Sequence, residues 1–154
     1  VILNAKAGRE LPVYGDGRNV RDWLFVDDHC SGIRLALLNG REGHTYNIGG
    51  GNERRNIEVV RTICGILDEW MPSGLSGGRE SLIRYVADRP GHDRRYAINA
   101  TKIARSLGWQ PAETFESGLL KTIQWYLGNM DWIASIETGA YRSWIETNYA
   151  SRDQ

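Results

Sequence analysis

Short extended segments at uneven intervals, separated by glycine turns and helical stripes, constrain this chain more than any other feature. Leu11–Tyr14, Arg21–Val26, Thr45–Ile48 and Leu82–Ala87 read as strands. They are too few and too irregular for a complete doubly wound sheet, so the pattern predicts an α/β lobe. Pro12 lacks an amide hydrogen, which restricts its strand to a sheet edge or to its start. Gly15-Asp16-Gly17 is a turn signal. Arg21–Val26 is apolar on both faces towards its end and is expected to run through a core.

The helices between these strands have readable ends. Val1–Gly8 reads as the last two turns of a helix stopped by Gly8. A helix with an end and no start leads us to expect a chain that begins inside a larger domain. Asp27 or Asp28 is expected to cap a helix that buries Cys30, Ile33 and Leu37 and ends at Asn39-Gly40. Asn56 is expected to cap a longer helix, with Ile57, Val60, Cys64 and Leu67 on one stripe and Ile63 and Trp70 beside it. Asn99 or Thr101 opens a short helix closed by Gly108, and Thr114 caps another carrying Leu119, Ile123 and Tyr126. Trp132–Tyr149 reads as one or two short aromatic helices, and the loop Ser73–Arg79 as surface.

Composition narrows the class. A chain of 154 residues suffices for one ordinary domain. Its 19 Lys+Arg balance 19 Asp+Glu, so the basic excess of a dedicated nucleic-acid binder is missing. No apolar run approaches the roughly 18–20 residues of a membrane helix, and no charged leader precedes an apolar stretch. The expectation is a cytoplasmic globular protein with neither nucleic acid nor membrane as partner. Cys30 and Cys64 are too few for a disulfide framework or a four-ligand zinc site, and read as small core residues. The six tryptophans read as core anchors.

Several motifs invite a chemical reading. Gly49-Gly50-Gly51, after an extended segment and before a helix, suggests a dinucleotide loop. The third glycine position of that fingerprint is Arg54, whose side chain would block the close approach of helix to strand, so a simple turn is the better reading. No Tyr has a Lys four residues later, so the Tyr-x-x-x-Lys pair of short-chain dehydrogenases is absent from these residues. His29 beside Asp27-Asp28 reads as part of a capped first turn, because adjacent residues point in different directions around a helix start.

Asp88-Arg89-Pro90-Gly91-His92 is the most informative stretch. Pro followed by Gly favours a type II turn, which would hold the side chains of Arg89 and His92 in fixed directions at a strand end. Two readings stand. Arg89 and His92, with Arg21 as a second fork, form an anion site, since Arg holds phosphate oxygens bidentately. Alternatively the loop is solvated, with Asp88, Asp93, Arg94 and Arg95 neutralising one another. Tyr14 reads as a half-buried strand aromatic that also offers a flat face, and Asn56 as a cap that can face a cleft.

The runs Pro12-Val13-Tyr14-Gly15, Arg21-Asp22-Trp23-Leu24, Val26-Asp27-Asp28-His29, Tyr46-Asn47-Ile48-Gly49-Gly50, Ala87–Tyr96, Leu107-Gly108-Trp109-Gln110-Pro111 and Tyr141–Glu146 together closely resemble the C-terminal part of the dTDP-glucose 4,6-dehydratases. These are extended short-chain dehydrogenase/reductases that act on nucleotide sugars. The resemblance runs from Val1 to about Tyr149. It implies the substrate-binding lobe of a Rossmann-type enzyme that converts dTDP-glucose to dTDP-4-keto-6-deoxyglucose with tightly held NAD as a transient hydride carrier.

By that resemblance Pro12, Val13 and Tyr14 lie along the nucleoside of a dTDP-sugar. Arg21, Asn56, Asp88, Arg89, Pro90, Gly91 and His92 surround the diphosphate and ribose, and Val1 ends a segment lining the same pocket. The NAD fingerprint, the catalytic groups and the helices of a homodimer belong to an N-terminal domain that is not in this sequence. Residues 1–154 are therefore expected to be a single C-terminal lobe, inactive alone. A free-standing nucleotide-sugar binding module and an inactive remnant are the other readings.

Overall fold

The structure, a computed structural model, describes residues 1–137 and Gly139; the expected aromatic segment beyond them lies outside the described residues. The chain runs α1 (Ile2–Lys6), β1 (Leu11–Tyr14), β2 (Val20–Asp22), α2 (Val26–Asn39), β3 (Glu53–Arg55), α3 (Asn56–Trp70), a 3-10 turn (Arg79–Leu82), β4 (Ile83–Val86), α4 (Thr101–Leu107), α5 (Phe115–Gly128) and α6 (Met130–Glu137). No described helix is long and apolar enough to cross a membrane.

The strands form two separate pairs. β1 lies parallel to β4 with Leu11 opposite Ile83 and Tyr14 opposite Val86. β2 lies antiparallel to β3 with Val20 opposite Arg55. Burial alternates along β1: Leu11 and Val13 enter the core, while Pro12 and Tyr14 face outwards, as the period of a pleated strand requires. Pro12 costs no ladder bond at an edge.

α3 is the spine of the core. Ile57, Val59, Val60, Ile63, Cys64 and Leu67 are buried against Ala5 of α1, Leu11 and Val13 of β1, and Phe115 and Ile123 of α5. Burial in this apolar setting pushes the Cys64 thiol up to about 11. Arg79 locks the far end of this core. It is buried, donates from Nε to Ala5 O (3.0 Å) and from Nη1 to Leu67 O (3.0 Å) and Met71 O (2.7 Å), and pairs with Asp68 (2.7 Å). It thereby adds a donor to carbonyls at the C-terminal ends of α1 and α3, of which Ala5 O and Leu67 O also accept from the cap amides of Gly8 and Met71. The loop read as surface thus ends in a buried clamp.

Cap chemistry is legible where it was expected at the start of α5 and the end of α4, whereas the N-cap of α4 is Ala100 and not Asn99 or Thr101. Thr114 Oγ1 accepts from Ser117 N (3.1 Å), Thr101 N donates to Asn99 Oδ1 (2.9 Å), and Gly108 closes α4 in the left-handed region at φ +70°. At α3 the cap is Arg55 and not Asn56: Arg55 N donates to Glu58 Oε2 (2.9 Å), and Asn56 is the first helical residue. Asp27 and Asp28 sit in the first turn of α2 and Phe25 precedes it.

Four expectations fail on tertiary grounds. α2 buries Asp28 and Gly32, while Cys30 and Ile33 are exposed and Leu37 is 82% exposed. Asp28 faces inwards because its carboxylate accepts from Ala112 N and Glu113 N (both 3.0 Å). Arg21–Val26 does not cross a core: β2 stops at Asp22, and Val26 is exposed. Thr45–Ile48 forms no ladder, because no strand among the described residues lies beside it. Finally, of the described tryptophans only Trp109 is buried, its Nε1 donating to Ser31 Oγ (2.9 Å); Trp23, Trp70, Trp125 and Trp132 are exposed.

Candidate functional site

Parallel pairing of β1 with β4 brings Tyr14 and Asp88–His92 to the same strand ends, and Gly15 N donates to Val86 O (2.9 Å). Gly15 is required there. Its φ is +58°, and a Cβ would stand 2.7 Å from Asp88 Oδ2. The turn after β4 is the expected type: His92 N donates to Arg89 O (3.1 Å) across Pro90-Gly91, and Gly91 has φ +69°.

Within that turn the side chains interlock. Asp88 Oδ1 lies 2.6 Å from His92 Nδ1, and Arg89 Nη2 lies 3.2 Å from His92 Nε2. His92 thus stands between Asp88 and Arg89, one ring nitrogen on each. Its hydrogen bond holds the Asp88 carboxyl below the usual range. The Arg89 guanidinium lies over the Tyr14 ring, 5.2 Å from its centroid, an attractive placement for a cation.

Arg21 has a similar setting one strand away. Its Nη1 donates to Val20 O (2.7 Å), its Nη2 to Asp93 O (3.0 Å), and its guanidinium lies 4.5 Å from the Tyr96 ring centroid. Arg94 and Arg95, by contrast, are neutralised: Arg94 forks onto Asp16 (2.8 and 3.1 Å) and Arg95 onto Glu53 (2.6 and 2.8 Å). The Arg94 fork drives the Asp16 carboxyl down to about 2. Among the described residues neither Arg21 nor Arg89 has a carboxylate oxygen within 4.0 Å. The loop is neither a free anion site throughout nor self-neutralising. Two of its cations are committed, and two flank it uncommitted.

The other expected residues fall as follows. Asn56 stands at the start of α3 with its N–H on Asn19 O (2.9 Å). Val13 points into the core, so only its backbone is available to a ligand. Val1 precedes α1, and its amino group interacts with Cys64, about 12 Å along α3 from Asn56 at the usual helical rise.

The sequence did not mark Asn19, and it marked Asp93 only as a loop charge and Tyr96 only as the end of the run Ala87–Tyr96. Asn19 is buried, donates from Nδ2 to Asp93 O (3.2 Å), and leaves Oδ1 without a partner. It ties the segments bearing Arg21, Asn56 and Arg89 together, although an Asn after a Gly-Asp-Gly turn reads as an ordinary turn residue.

The glycine loop does not fit a dinucleotide. Gly50 N and Asn52 N donate to the Asp22 carboxylate (3.0 and 2.8 Å), so these amides are already taken, and β3 stands between the loop and α3. Among the described residues no group of three or more His, Cys, Asp or Glu is arranged to hold a metal. A cavity of about 700 Å³ with neither Arg21 nor Arg89 in its lining lies between the β2–α2 connection and α5. Trp23, Phe25, Leu119, Trp125 and Tyr126 are among its mainly apolar lining.

Comparison with known proteins gives this geometry a context. A family model described as GDP-mannose 4,6 dehydratase matches residues 1–122. The dTDP-glucose 4,6-dehydratase of Salmonella typhimurium is 56% identical over 99% of this chain, and the match covers 42% of that protein. The chain thus spans about two-fifths of the length of such relatives.

Among solved structures, dTDP-glucose 4,6-dehydratase from Bacillus anthracis in complex with NAD superposes with a TM-score of 0.75 at 51% identity, covering 85% of this chain and 39% of that one. The dTDP-glucose 4,6-dehydratase DesIV from Streptomyces venezuelae, with NAD and TYD bound, superposes with a TM-score of 0.74 at 45% identity, covering 85% and 38%. This chain belongs to the GDP-mannose 4,6 dehydratase family, and it matches the C-terminal part of the dTDP-glucose 4,6-dehydratases.

Proposed function

We propose that this chain is the C-terminal, substrate-gripping lobe of a dTDP-glucose 4,6-dehydratase. The whole enzyme converts dTDP-glucose to dTDP-4-keto-6-deoxyglucose and water in the cytoplasm, with NAD as the hydride carrier. The observation that carries this reading is that Arg21 and Arg89 have no carboxylate partner among the described residues, whereas Arg94 and Arg95 of the same loop are each paired with one. A diphosphate is the ligand whose charge and planar oxygen pairs answer two such forks. Pro12–Tyr14 runs beside the nucleoside, with Tyr14 offering its outer face. Asn56 and His92 meet the ribose and phosphates, and Asp88, Pro90 and Gly91 fix the turn that presents Arg89.

NAD is held outside the described residues, whose glycine loop does not fit it, and these residues contribute grip rather than hydride chemistry. The longer relatives supply a further domain. The exposed apolar side of α2 and the cavity beside Trp23 and Trp125 are the surfaces that support its docking here. Homodimerisation belongs to the whole enzyme.

Titration of the folded chain with dTDP, followed by amide NMR, tests the assignment. Signals of Tyr14, Arg21 and Arg89 are expected to shift, and Arg89→Ala is expected to weaken binding by about tenfold or more, the effect of losing a charge-assisted contact. A folded chain with no dTDP-dependent shift overturns the reading. NAD-dependent turnover by these 154 residues alone would overturn the assignment of chemistry to the rest of the enzyme.

A further inference from the structure

The sequence gives Tyr96 no role beyond ending the run Ala87–Tyr96, yet it is placed with unusual definition for a tyrosine that is 52% exposed. Its backbone N–H donates to Val20 O (3.0 Å), which sets it beside β2, and its hydroxyl donates to the Asp93 carboxylate. That hydrogen bond and the negative charge of Asp93 raise the Tyr96 hydroxyl above the ordinary phenol range, so the ring stays neutral.

Against this fixed ring lies the Arg21 guanidinium, 4.5 Å from its centroid. Two backbone carbonyls hold the edge of the same guanidinium. One of them, Asp93 O, is itself anchored by Asn19 Nδ2 (3.2 Å). A planar cation held along its Nη1–Nη2 edge and against one face has a single orientation, which fixes the directions of the N–H groups that the carbonyls do not use. Without the ring, the two carbonyls leave the fork free to tilt about the edge they hold.

We infer that Tyr96 is a positioning residue that aims the Arg21 fork at a diphosphate. The inference rests on the nucleotide-sugar reading above. It goes beyond that reading by assigning Tyr96 an effect on the phosphates and none on the nucleoside. Arg89 has a corresponding ring in Tyr14, but that contact is looser, at 5.2 Å, and Arg89 is oriented by His92 as well. Tyr96 therefore matters to its arginine more than Tyr14 does to Arg89.

The test compares dTDP with thymidine, which lacks the phosphates, on the wild-type chain and on Arg21→Ala, Tyr96→Ala and Tyr96→Phe, each checked for an unchanged unfolding midpoint. Arg21→Ala is expected to weaken dTDP binding at least tenfold. Tyr96→Ala is expected to weaken it by about fivefold, the scale of a partly exposed cation–π contact, and to leave thymidine unchanged. Tyr96→Phe keeps the face and is expected to stay within about twofold of wild type.

If Arg21→Ala weakens dTDP binding and Tyr96→Ala does not, the inference fails and the functional reading stands. Equal losses for dTDP and thymidine in Tyr96→Ala also overturn the inference, since they mark a merely structural role. If wild type does not bind dTDP, or Arg21→Ala binds it normally, the functional reading fails and the inference with it.

Discussion

Helices α2 and α3 have 14 and 15 residues and both carry apolar residues at helical spacing, but they use them in opposite ways. α3 buries six of them in the core, whereas α2 turns Asp28 and Gly32 inwards and leaves Ile33, Leu37 and Leu38 in water. An apolar stripe records that a face favours cover; it does not record that the cover lies in the same stretch of chain. The inner side of α2 is set by close approach instead. A Cβ at Gly32 would stand 3.0 Å from Ile48 and 3.1 Å from Trp109, so any larger residue there would push the helix off its neighbours.

The sharpest way to break this contrast is Leu67→Ala. Leu67 is fully buried in α3, and its truncation is expected to cost about 2–5 kcal/mol in urea unfolding. A loss below about 1 kcal/mol would mean that α3 is not the spine of a packed core.

Asp28→Ala comes next. It strips the amides of Ala112 and Glu113 of their acceptor and is expected to cost about 1–3 kcal/mol. If stability is unchanged, the inward side of α2 is not held by that carboxylate.

Leu37→Ala is the smallest, within about 0.5 kcal/mol, because the side chain is already in water. A cost comparable to that of Leu67→Ala would mean that something covers α2 in solution. The same measurement in the presence of the domain proposed to dock there sharpens the comparison, since the cost should then rise.

Local signals were legible, and so were partnerships between neighbours in sequence. The cap at Thr114, the stop at Gly108, the Pro90-Gly91 turn and the edge strand of Pro12 each depend on one residue's own geometry. The α3 stripe was legible because its period reports burial directly. Of the candidate site, the turn and its arginines were visible as residue types. Their partners were not. That Arg94 and Arg95 are spent on Asp16 and Glu53, while Arg21 and Arg89 are not, depends on contacts spanning 78, 42 and 72 positions along the chain. No local pattern encodes such pairings.

The order of amino acids alone determined the α/β character, the positions of most helix ends and the tight turn that presents Arg89, because propensity, capping and backbone freedom act over a few residues. Only the tertiary structure decided which arginines find a carboxylate, that His92 meets both Asp88 and Arg89, where Asn19 and Tyr96 stand, and that α2 faces its apolar side outwards. Those outcomes depend on which groups meet across the fold, and hydrogen bonds and ion pairs act only over the distance at which they meet.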